Sequence, residues 1–298
     1  MTPLEPAPPA LARYAGRDEL WLKREDVHEL GAFKWRGALP VVRELAAAGA
    51  DTVVTASTGN HGAAVAWACR QLGVRAIVFV PPRSNPQKLA LLERLGAEVR
   101  IAGSDLDEAK DAARATGLPF FEDGAEPLQY EAYGAIGDEI LDQSPAEPAA
   151  VVIPIGNGAL AGGVGAALGR RAPGVARIGV VAKAMPVMAA SWEAGRAVEV
   201  PSGSTIADGL AVRIAIPLAV ERLRTAVDAI VRVSERAIAE ALVACHDAAV
   251  PVEPSAAAAV AVAGDLALNG PVVLAITGRN VDGEVLARAR TNLASFPD

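Results

Sequence analysis

Residues 23–38 of the chain read KREDVHELGAFKWRGA and place Lys34 between Phe33 and Trp35. An amine among apolar neighbours has its charged form disfavoured by burial, which makes it a better nucleophile at neutral pH. That is the chemistry of a lysine that links covalently to a carbonyl compound. A lysine whose methylene stem merely covers aromatic rings has the same local sequence, so this stretch alone leaves both interpretations open.

The composition indicates a globular protein with a large core. The 298 residues fit one large or two modest domains, and 52% are hydrophobic, mostly Ala, Val and Leu in short segments. Uncharged apolar runs stay below membrane-spanning length. The net charge of −7, with scattered basic residues, argues against nucleic acid or an anionic membrane as the main partner. The first residues do not resemble a secretory signal, so we expect a cytoplasmic protein.

Cysteine and histidine usage argues against a metal centre and a disulfide. Cys69 and Cys245 each lie in an apolar helical pattern, which predicts buried free thiols. With three histidines and no Cys-x-x-Cys, a zinc site is not expected.

Short β-branched runs alternate with alanine-rich helical stretches along the chain, which predicts an α/β fold with helices on both faces of mostly parallel, buried sheets. The predicted strands are Thr52–Thr55, Ala76–Val80, Glu98–Ile101, Ala150–Ile155, Arg177–Val181, Ala229–Val233 and Val272–Ile276. The predicted helices are Lys34–Ala48, Gly62–Leu72, Pro86–Leu95, Asp105–Thr116, Tyr133–Gln143, Leu160–Arg171, Ser234–Ala248 and Ser255–Leu268. Residues 120–130 are acidic and rich in turn residues, and we interpret them as a return between two lobes.

Three of the predicted strands end in polar or glycine-rich turns, where open α/β sheets bind their ligands. These turns are ASTGNHG at 56–62, GNGALAGG at 156–163 and TGRN at 277–280. Turns of this kind that open a helix present backbone N–H groups to an anion. Each turn alone could be a helix cap or a plain connection. A dinucleotide site is disfavoured, because the strand that follows the second turn ends at Ala182 and Lys183 without the expected carboxylate.

Taken together, these segments resemble the fold-type II pyridoxal-phosphate enzymes, specifically the threonine/serine dehydratase and serine racemase family. The resemblance covers nearly the whole chain and rests on six motifs in the same order. They are Lys23–Asp26 with Gly31–Ala38, Ser57–Gly62, Gly156–Leu160, Thr205–Gly209, Val252–Ala256 and Thr277–Asn280. It implies two lobes, each an open and mostly parallel sheet flanked by helices. We expect residues 1–37 and 122–298 to form the large cofactor lobe and residues 38–121 a small inserted lobe.

The resemblance also implies roles for individual residues. Lys34 would bind pyridoxal 5′-phosphate covalently and move the Cα proton, and Thr58 would be a second catalytic residue. The other cofactor-binding residues would be Phe33 beside the ring, Asn60 at the ring oxygen, Gly156, Asn157, Gly158, Ala159 and Leu160 at the phosphate, Gly209, and Thr277 at the ring nitrogen. The substrate-binding residues would be Ser57, Thr58, Gly59, His61 and Tyr133.

Thr277 bears on the type of reaction. A hydroxyl at the ring nitrogen cannot stabilise a protonated pyridinium as a carboxylate would, so the ring is a weaker electron sink. That favours β-elimination over transamination. The resemblance therefore implies a cytoplasmic, homodimeric ammonia-lyase that converts a 3-hydroxy amino acid, such as L-threonine or L-serine, into a 2-oxo acid and ammonia.

Departures from the family pattern keep other functions open. Racemases of the family have a serine at the position of Thr58, and threonine synthases share the threonine, so racemisation or β-replacement are alternatives. Residues 182–188 lack the carboxylates of the racemase metal site, which predicts that no such metal binds.

Tyr130 and Tyr133 stand where the family pattern differs, and they could shape a substrate pocket or pack at a lobe boundary. A non-catalytic ligand-binding module is the alternative from another class, and the intact Lys34, Asn60 and Thr277 argue against it.

Overall fold

The computed structural model describes residues 1–201 and 203–298, and this part of the chain forms two compact units. The first unit comprises Met1–Phe33 and Tyr133–Asp298, and the second comprises Lys34–Ala132. The boundaries expected from the sequence, residues 38 and 121, both lie inside the second unit. The ion pair between Lys34 and Asp123 ties residues 123–130 to that unit, and Gly124 hydrogen-bonds to both Gln129 and Tyr130 within the segment.

The elements alternate as the β-branched and alanine-rich segments predict. The strands are Leu4–Pro6 (β1), Leu20–Arg24 (β2), Thr52–Ala56 (β3), Arg75–Val80 (β4), Glu98–Ile101 (β5), Ala150–Pro154 (β6), Ala176–Ala182 (β7), Ala229–Val233 (β8) and Val272–Ile276 (β9). The helices are Pro9–Tyr14 (α1), Trp35–Ala47 (α2), Asn60–Leu72 (α3), Pro86–Arg94 (α4), Leu106–Arg114 (α5), Pro127–Gln143 (α6), Ala159–Arg171 (α7), Val187–Ala194 (α8), Pro217–Ala226 (α9), Glu235–Asp247 (α10), Pro254–Ala261 (α11) and Gly283–Thr291 (α12). Among the described residues, no helix is both long and apolar enough to cross a membrane.

The first unit is built on a sheet of six strands in the order β1-β2-β9-β6-β7-β8, counted over its described residues. Among the strands of this sheet that the structure describes, only β1 and β2 pair in antiparallel fashion. The central strands β6 and β9 are buried along their whole length, as continuous apolar runs predict. Leu242 of α10 and Val260 of α11 belong to the same core as Val152 and Leu274 of the sheet. The carboxyl ends of these parallel strands carry the glycine and threonine turns of the candidate site.

The second unit contains a parallel sheet in the order β3-β4-β5. Its core joins Val54 and Ala56 of β3, Ile77 and Phe79 of β4, and Ala109 of α5. The predicted α/β class with parallel sheets is confirmed in both units. The expectation that every strand is buried is wrong for β5, whose residues are mostly exposed at one edge of this small sheet. The strand at the other edge, β3, is fully buried, and its Val54 forms a bridge with Phe120.

Two predicted helices have different ends in the structure. Helix α6 begins at Pro127 rather than Tyr133, because proline is favoured in the first turn of a helix, and its turn-rich flank looked like a loop. Helix α11 ends at Ala261 rather than Leu268. The guanidinium of Arg17 donates hydrogen bonds to the carbonyls of Ala263, Leu266 and Leu268, which draws this segment out of a helical course.

The sequence did not predict the strands β1 and β2 or the helices α1, α8, α9 and α12. Strand β2, LWLKR, carries two cations, and such a segment does not look like a buried strand.

The prediction for the cysteines is confirmed, because Cys69 and Cys245 are free and buried, and burial raises the pKa of each thiol to about 12.

Candidate cofactor site

The predicted glycine turn follows β6 in the first unit and lies against a second predicted segment. Gly156 approaches Gly209 so closely that an added Cβ would collide with the carbonyl oxygen of Gly209. Gly209 in turn donates its N–H to Oγ of Ser255, and a Cβ there would lie 2.7 Å from that oxygen. Two candidate cofactor segments that are far apart in the sequence, 156–160 and 205–209, therefore meet in space. Their contact requires glycine at 156, and the approach of Ser255 to the second segment requires glycine at 209.

Helix α7 begins directly after this turn, and its first N–H groups form the candidate phosphate-binding end. Gly158 has φ +97°, a conformation that glycine adopts without strain. The side-chain oxygen of Asn157 accepts a hydrogen bond from the N–H of Ala159 at 3.1 Å. Asn157 thus orders the turn through its own backbone, and Leu160 is already buried inside the helix.

A third predicted position, Thr277, follows β9 in the same unit. Its Oγ1 is buried, and within the described residues it has no hydrogen-bond partner. The carbonyl of Thr277 accepts the N–H of Phe33 at 3.1 Å, so these two candidate residues are neighbours. The ring of Phe33 meets that of Tyr133 edge-on, with 5.0 Å between centroids. A buried hydroxyl without a partner is costly, and it indicates a position for a polar ligand.

Glu253 is a neighbour of this turn that the sequence analysis did not single out, although it belongs to the fifth motif. It is buried, and its N–H donates to the carbonyl of Gly278. A Cβ at Gly278 would lie 2.7 Å from the carboxyl carbon of Glu253. The glycine after Thr277 therefore makes room for a carboxylate.

The second unit holds the turn that follows β3. The hydroxyl of Ser57 accepts the N–H of Gly59 at 3.2 Å, and a Cβ at Gly62 would lie 2.7 Å from the carbonyl oxygen of Ser57. Residues 57–60, which include Thr58 and Asn60, are partly exposed at the start of α3. This is the arrangement expected of a turn that offers hydroxyl, amide and backbone donors to a ligand.

His61 differs from the other residues of this turn, because it is turned inward. Its Nε2 lies 3.1 Å from Oγ1 of Thr55, and its ring packs edge-on against Phe121. Burial lowers the pKa of the imidazole below its ordinary value, so His61 is neutral near pH 7. Only 5% of its surface is exposed.

Lys34, at the start of α2, has a carboxylate partner that the sequence analysis missed. Its Nζ lies 2.6 Å from Oδ2 of Asp123, and both residues belong to the second unit. Trp35, expected to border the lysine, packs with Trp67 at 6.4 Å between ring centroids. The local sequence predicted apolar surroundings, and the structure instead places an anion at the amine.

Asp123 is held by several groups of its own unit. Gln129 donates Nε2–H to Oδ1 of Asp123 at 3.1 Å, and Oε1 of Gln129 accepts the N–H of Gly124 at 2.8 Å. Burial by itself raises the pKa of the Asp123 carboxyl, but the adjacent Lys34 ammonium and the hydrogen bonds from Lys34 and Gln129 hold it well below its usual range. The only sequence signal for Asp123 was an acidic turn, which is typical of a solvated loop.

Comparison with known proteins decides the family. A profile described as pyridoxal-phosphate dependent enzyme matches residues 1–278. The chain belongs to the pyridoxal-phosphate dependent enzyme family. It is 35% identical over 278 residues to the L-threonine ammonia-lyase of Thermotoga maritima, which covers 91% of this chain and 69% of that protein. The L-threonine ammonia-lyase of Geobacter sulfurreducens is 36% identical, and the match covers 90% of this chain and 69% of the relative.

Solved structures of this family have the same fold. The processed form of threonine deaminase isoform 2 from Solanum lycopersicum superposes with a TM-score of 0.91 at 30% identity, covering 98% of this chain and 88% of that one. A fungal L-serine ammonia-lyase from Rhizomucor miehei superposes with a TM-score of 0.85 at 25% identity, covering 98% of both chains.

The residues of the first unit fit pyridoxal phosphate, the cofactor of the family. Glycine at 156 lets the 205–209 segment lie against the turn that opens α7, and the backbone N–H groups at the start of this helix would bind the phosphate anion. The Oγ1 of Thr277, buried and without a partner within 1–201 and 203–298, offers a donor to a ring nitrogen. Within the same described ranges, three or more His, Cys, Asp or Glu residues do not gather into a cluster that could hold a metal ion.

Proposed function

We propose that this chain is a pyridoxal-phosphate-dependent ammonia-lyase that converts a 3-hydroxy amino acid, L-threonine or L-serine, into a 2-oxo acid and ammonia. The observation that carries the reaction type is Thr277, an uncharged buried hydroxyl at the position expected for the ring nitrogen. The substrate class is supported by relatives named L-threonine ammonia-lyase and by a solved L-serine ammonia-lyase.

The chemistry divides between the cofactor and the chain. Pyridoxal phosphate, when bound, supplies an aldehyde for an amine and a ring that withdraws electrons from the Cα of an amino acid. Lys34 would supply the amine for the aldehyde and, once the substrate amine has taken its place there, would accept the Cα proton. That proton would leave with the β-hydroxyl as water, and the enamine product would tautomerise to an imine that hydrolyses to the 2-oxo acid and ammonia.

Other residues of the chain bind and orient. Backbone N–H groups at the start of α7 would hold the phosphate, and Thr277 would donate to the ring nitrogen. The start of α3 would hold the substrate carboxylate through backbone N–H groups and hydroxyls, with Thr58 as a second proton carrier. We keep the remaining assignments as proposals on the family resemblance: Phe33, Asn60, Gly156, Asn157, Gly158, Ala159, Leu160 and Gly209 for the cofactor, and Ser57, Gly59, His61 and Tyr133 for the substrate.

Assembly and location belong to the same proposal. A homodimer in the cytoplasm follows from the family resemblance, as does a division into lobes near residues 38 and 121. Sedimentation of the purified protein across a range of concentrations tests the dimer.

A substrate screen tests the proposed reaction. Purified protein with added pyridoxal phosphate is incubated with L-threonine, L-serine and their D-enantiomers, and oxo acid, ammonia and chirality are measured. We expect oxo acid and ammonia in equal amounts from an L-3-hydroxy amino acid. Release of D-amino acid without oxo acid would assign a racemase, and turnover only with an added thiol or amine would assign β-replacement. Binding of an amino acid with no turnover of any kind would support the non-catalytic module.

Replacing Thr277 by valine tests two properties of its hydroxyl: that it costs stability in the cofactor-free protein, and that it donates a hydrogen bond to the cofactor. Valine has nearly the same shape and removes the buried hydroxyl that lacks a partner within the described part of the chain. We expect the cofactor-free protein to be as stable as the parent or up to about 1 kcal/mol more stable, because an unsatisfied polar group is gone. The affinity for pyridoxal phosphate should fall about tenfold, which corresponds to one lost hydrogen bond.

Urea unfolding of the cofactor-free protein and fluorescence titration with pyridoxal phosphate measure these two effects. Thr225→Val is the matched control, because the Thr225 hydroxyl is exposed and donates to the carbonyl of Arg222 within α9. A loss of stability in Thr277→Val without a change in cofactor affinity would show that the hydroxyl serves the fold rather than the ligand.

A further inference from the structure

Asp123 is the residue of the candidate site to which neither the family motifs nor the proposed function gives a role. Its Oδ2 lies 2.6 Å from Nζ of Lys34, the residue proposed to react. The side chain of Lys34 is 15% exposed and that of Asp123 is 24% exposed, so the pair is partly withdrawn from solvent. At that distance and burial the attraction between the two charges is substantial.

The hydrogen bonds of Thr55 and His61 show which group balances the negative charge of Asp123. Thr55 has one hydroxyl proton and donates it to the carbonyl of Phe121 at 2.8 Å. The Oγ1 of Thr55 can therefore only accept from His61, which places the imidazole proton on Nε2. In the neutral imidazole, Nδ1 then presents a lone pair to Oδ1 of Asp123 at 3.5 Å. The neutral ring cannot balance the carboxylate, so Lys34 does.

The other charged groups near this pair do not replace Lys34. Glu122, the residue before Asp123, lies 2.9 Å from Arg114 and 3.7 Å from Lys110 of α5. Lys110 acts on His61 at longer range and disfavours its protonation. Gln129 contributes a neutral donor to Asp123. Two neighbouring carboxylates thus have separate cationic partners.

We propose that Asp123 is a positioning residue for Lys34, which keeps its Nζ in place as an ammonium before cofactor binding and stabilises the same ammonium after the lysine has taken the Cα proton. This inference rests on the proposed function. The two steps depend on the carboxylate in opposite ways. For capture, the ammonium first gives a proton to solvent, the neutral amine then adds to the aldehyde carbon, a C=N bond forms and one water leaves. For turnover, the lysine must hold a proton, which the carboxylate favours.

Asp123→Asn tests the proposal, because it removes the charge and keeps the shape. We expect its capture of pyridoxal phosphate, measured across a range of pH, to be faster than in the parent at neutral pH, because no anion lies 2.6 Å from Nζ to hold it as an ammonium. We expect kcat to fall about tenfold or more, because the protonated lysine formed in turnover has lost its charge partner. Capture is followed by visible absorbance and by borohydride reduction, with the mass of the peptide that contains Lys34.

Glu122→Gln is the matched control, because it removes the same charge one residue away and leaves the Lys34 pair intact. Its capture profile should follow that of the parent. Asp123→Glu should restore most of the parent profile, and Asp123→Ser serves as the neutral variant if circular dichroism shows that the asparagine protein is unfolded. The proposal is overturned if the capture rate of the neutral variant depends on pH in the same way as that of Glu122→Gln. It is also overturned if capture and turnover both become slower in the neutral variant at every pH. Failure of the parent itself to capture the cofactor would instead refute the proposed function.

Discussion

Lys34→Ala is expected to remove the visible absorbance that the parent protein acquires with pyridoxal phosphate, and to lower kcat by at least about 10²–10⁴-fold. The physical reason is that one amine serves twice, as the nucleophile toward the cofactor and as the carrier of the Cα proton. Borohydride treatment of the parent should add the mass of the reduced cofactor to the peptide that contains Lys34, and the alanine protein should stay unmodified there.

Two further variants distinguish the reactivity of the Lys34 amine from the effect of its positive charge. Lys34→Arg keeps a cation beside Asp123 but has no nucleophilic amine, so it should be as inactive as the alanine variant while retaining more stability. Lys110→Ala is the matched control, since this lysine of α5 lies 3.7 Å from Glu122 and is proposed for neither cofactor nor substrate. Full activity in Lys34→Ala, or a reduced cofactor attached to another lysine, would refute the assignment of Lys34.

Lys23→Met is expected to lower the free energy of unfolding by about 3–5 kcal/mol, the usual cost of leaving one member of a buried ion pair without its partner. Lys23 lies on β2 and is fully buried, and its Nζ is 2.6 Å from both Oε2 of Glu139 and the carbonyl oxygen of Thr2. Glu25, also fully buried, accepts the hydroxyl of Thr2 at 2.5 Å. Loss of the ammonium therefore removes the cation paired with Glu139, a carboxylate that is only 12% exposed, and leaves Glu25 buried in the same cluster.

Urea unfolding of the cofactor-free protein measures this effect. The double variant Lys23→Met with Glu139→Leu should recover most of the lost stability, because an apolar pair of similar volume leaves no buried charge. Arg232→Met is the control, since the pair of Arg232 with Glu193 is solvent-exposed and should contribute less than about 1 kcal/mol. A loss in Lys23→Met no larger than in Arg232→Met would show that the buried pair is not a main source of stability.

Lys23 also shows how far the first motif could be interpreted without a structure. The segment KRED was part of the family resemblance, but its spacing gave no reason to place the lysine inside a strand. Its partner Glu139 lies 116 residues further along the chain. A buried lysine is uncommon, and only the nearness of a carboxylate and a carbonyl makes it acceptable.

The turns at strand ends were much easier to predict. The parallel strands were recognised from apolar runs, and the residues after β3, β6 and β9 follow from strand position alone. The strand β2 was missed because its cations interrupt the apolar pattern, and α6 was placed too late because Pro127 looked like a loop residue. Features set by residues close together in the sequence, such as strands and turns, were predicted correctly more often than contacts between residues far apart in the sequence.

By itself the sequence determined the α/β class, because backbone propensities and glycine turns are local properties of the chain, and its six ordered motifs carried the family resemblance that implies the cofactor. The tertiary structure decided which groups meet: Asp123 at Lys34, 89 residues apart, Gly209 at Gly156, and the hydroxyl of Thr277 in a buried place. Electrostatic attraction and steric contact act through space at a few ångströms, so the charge partner of the reactive lysine depends on the folded backbone and not on the residues beside it.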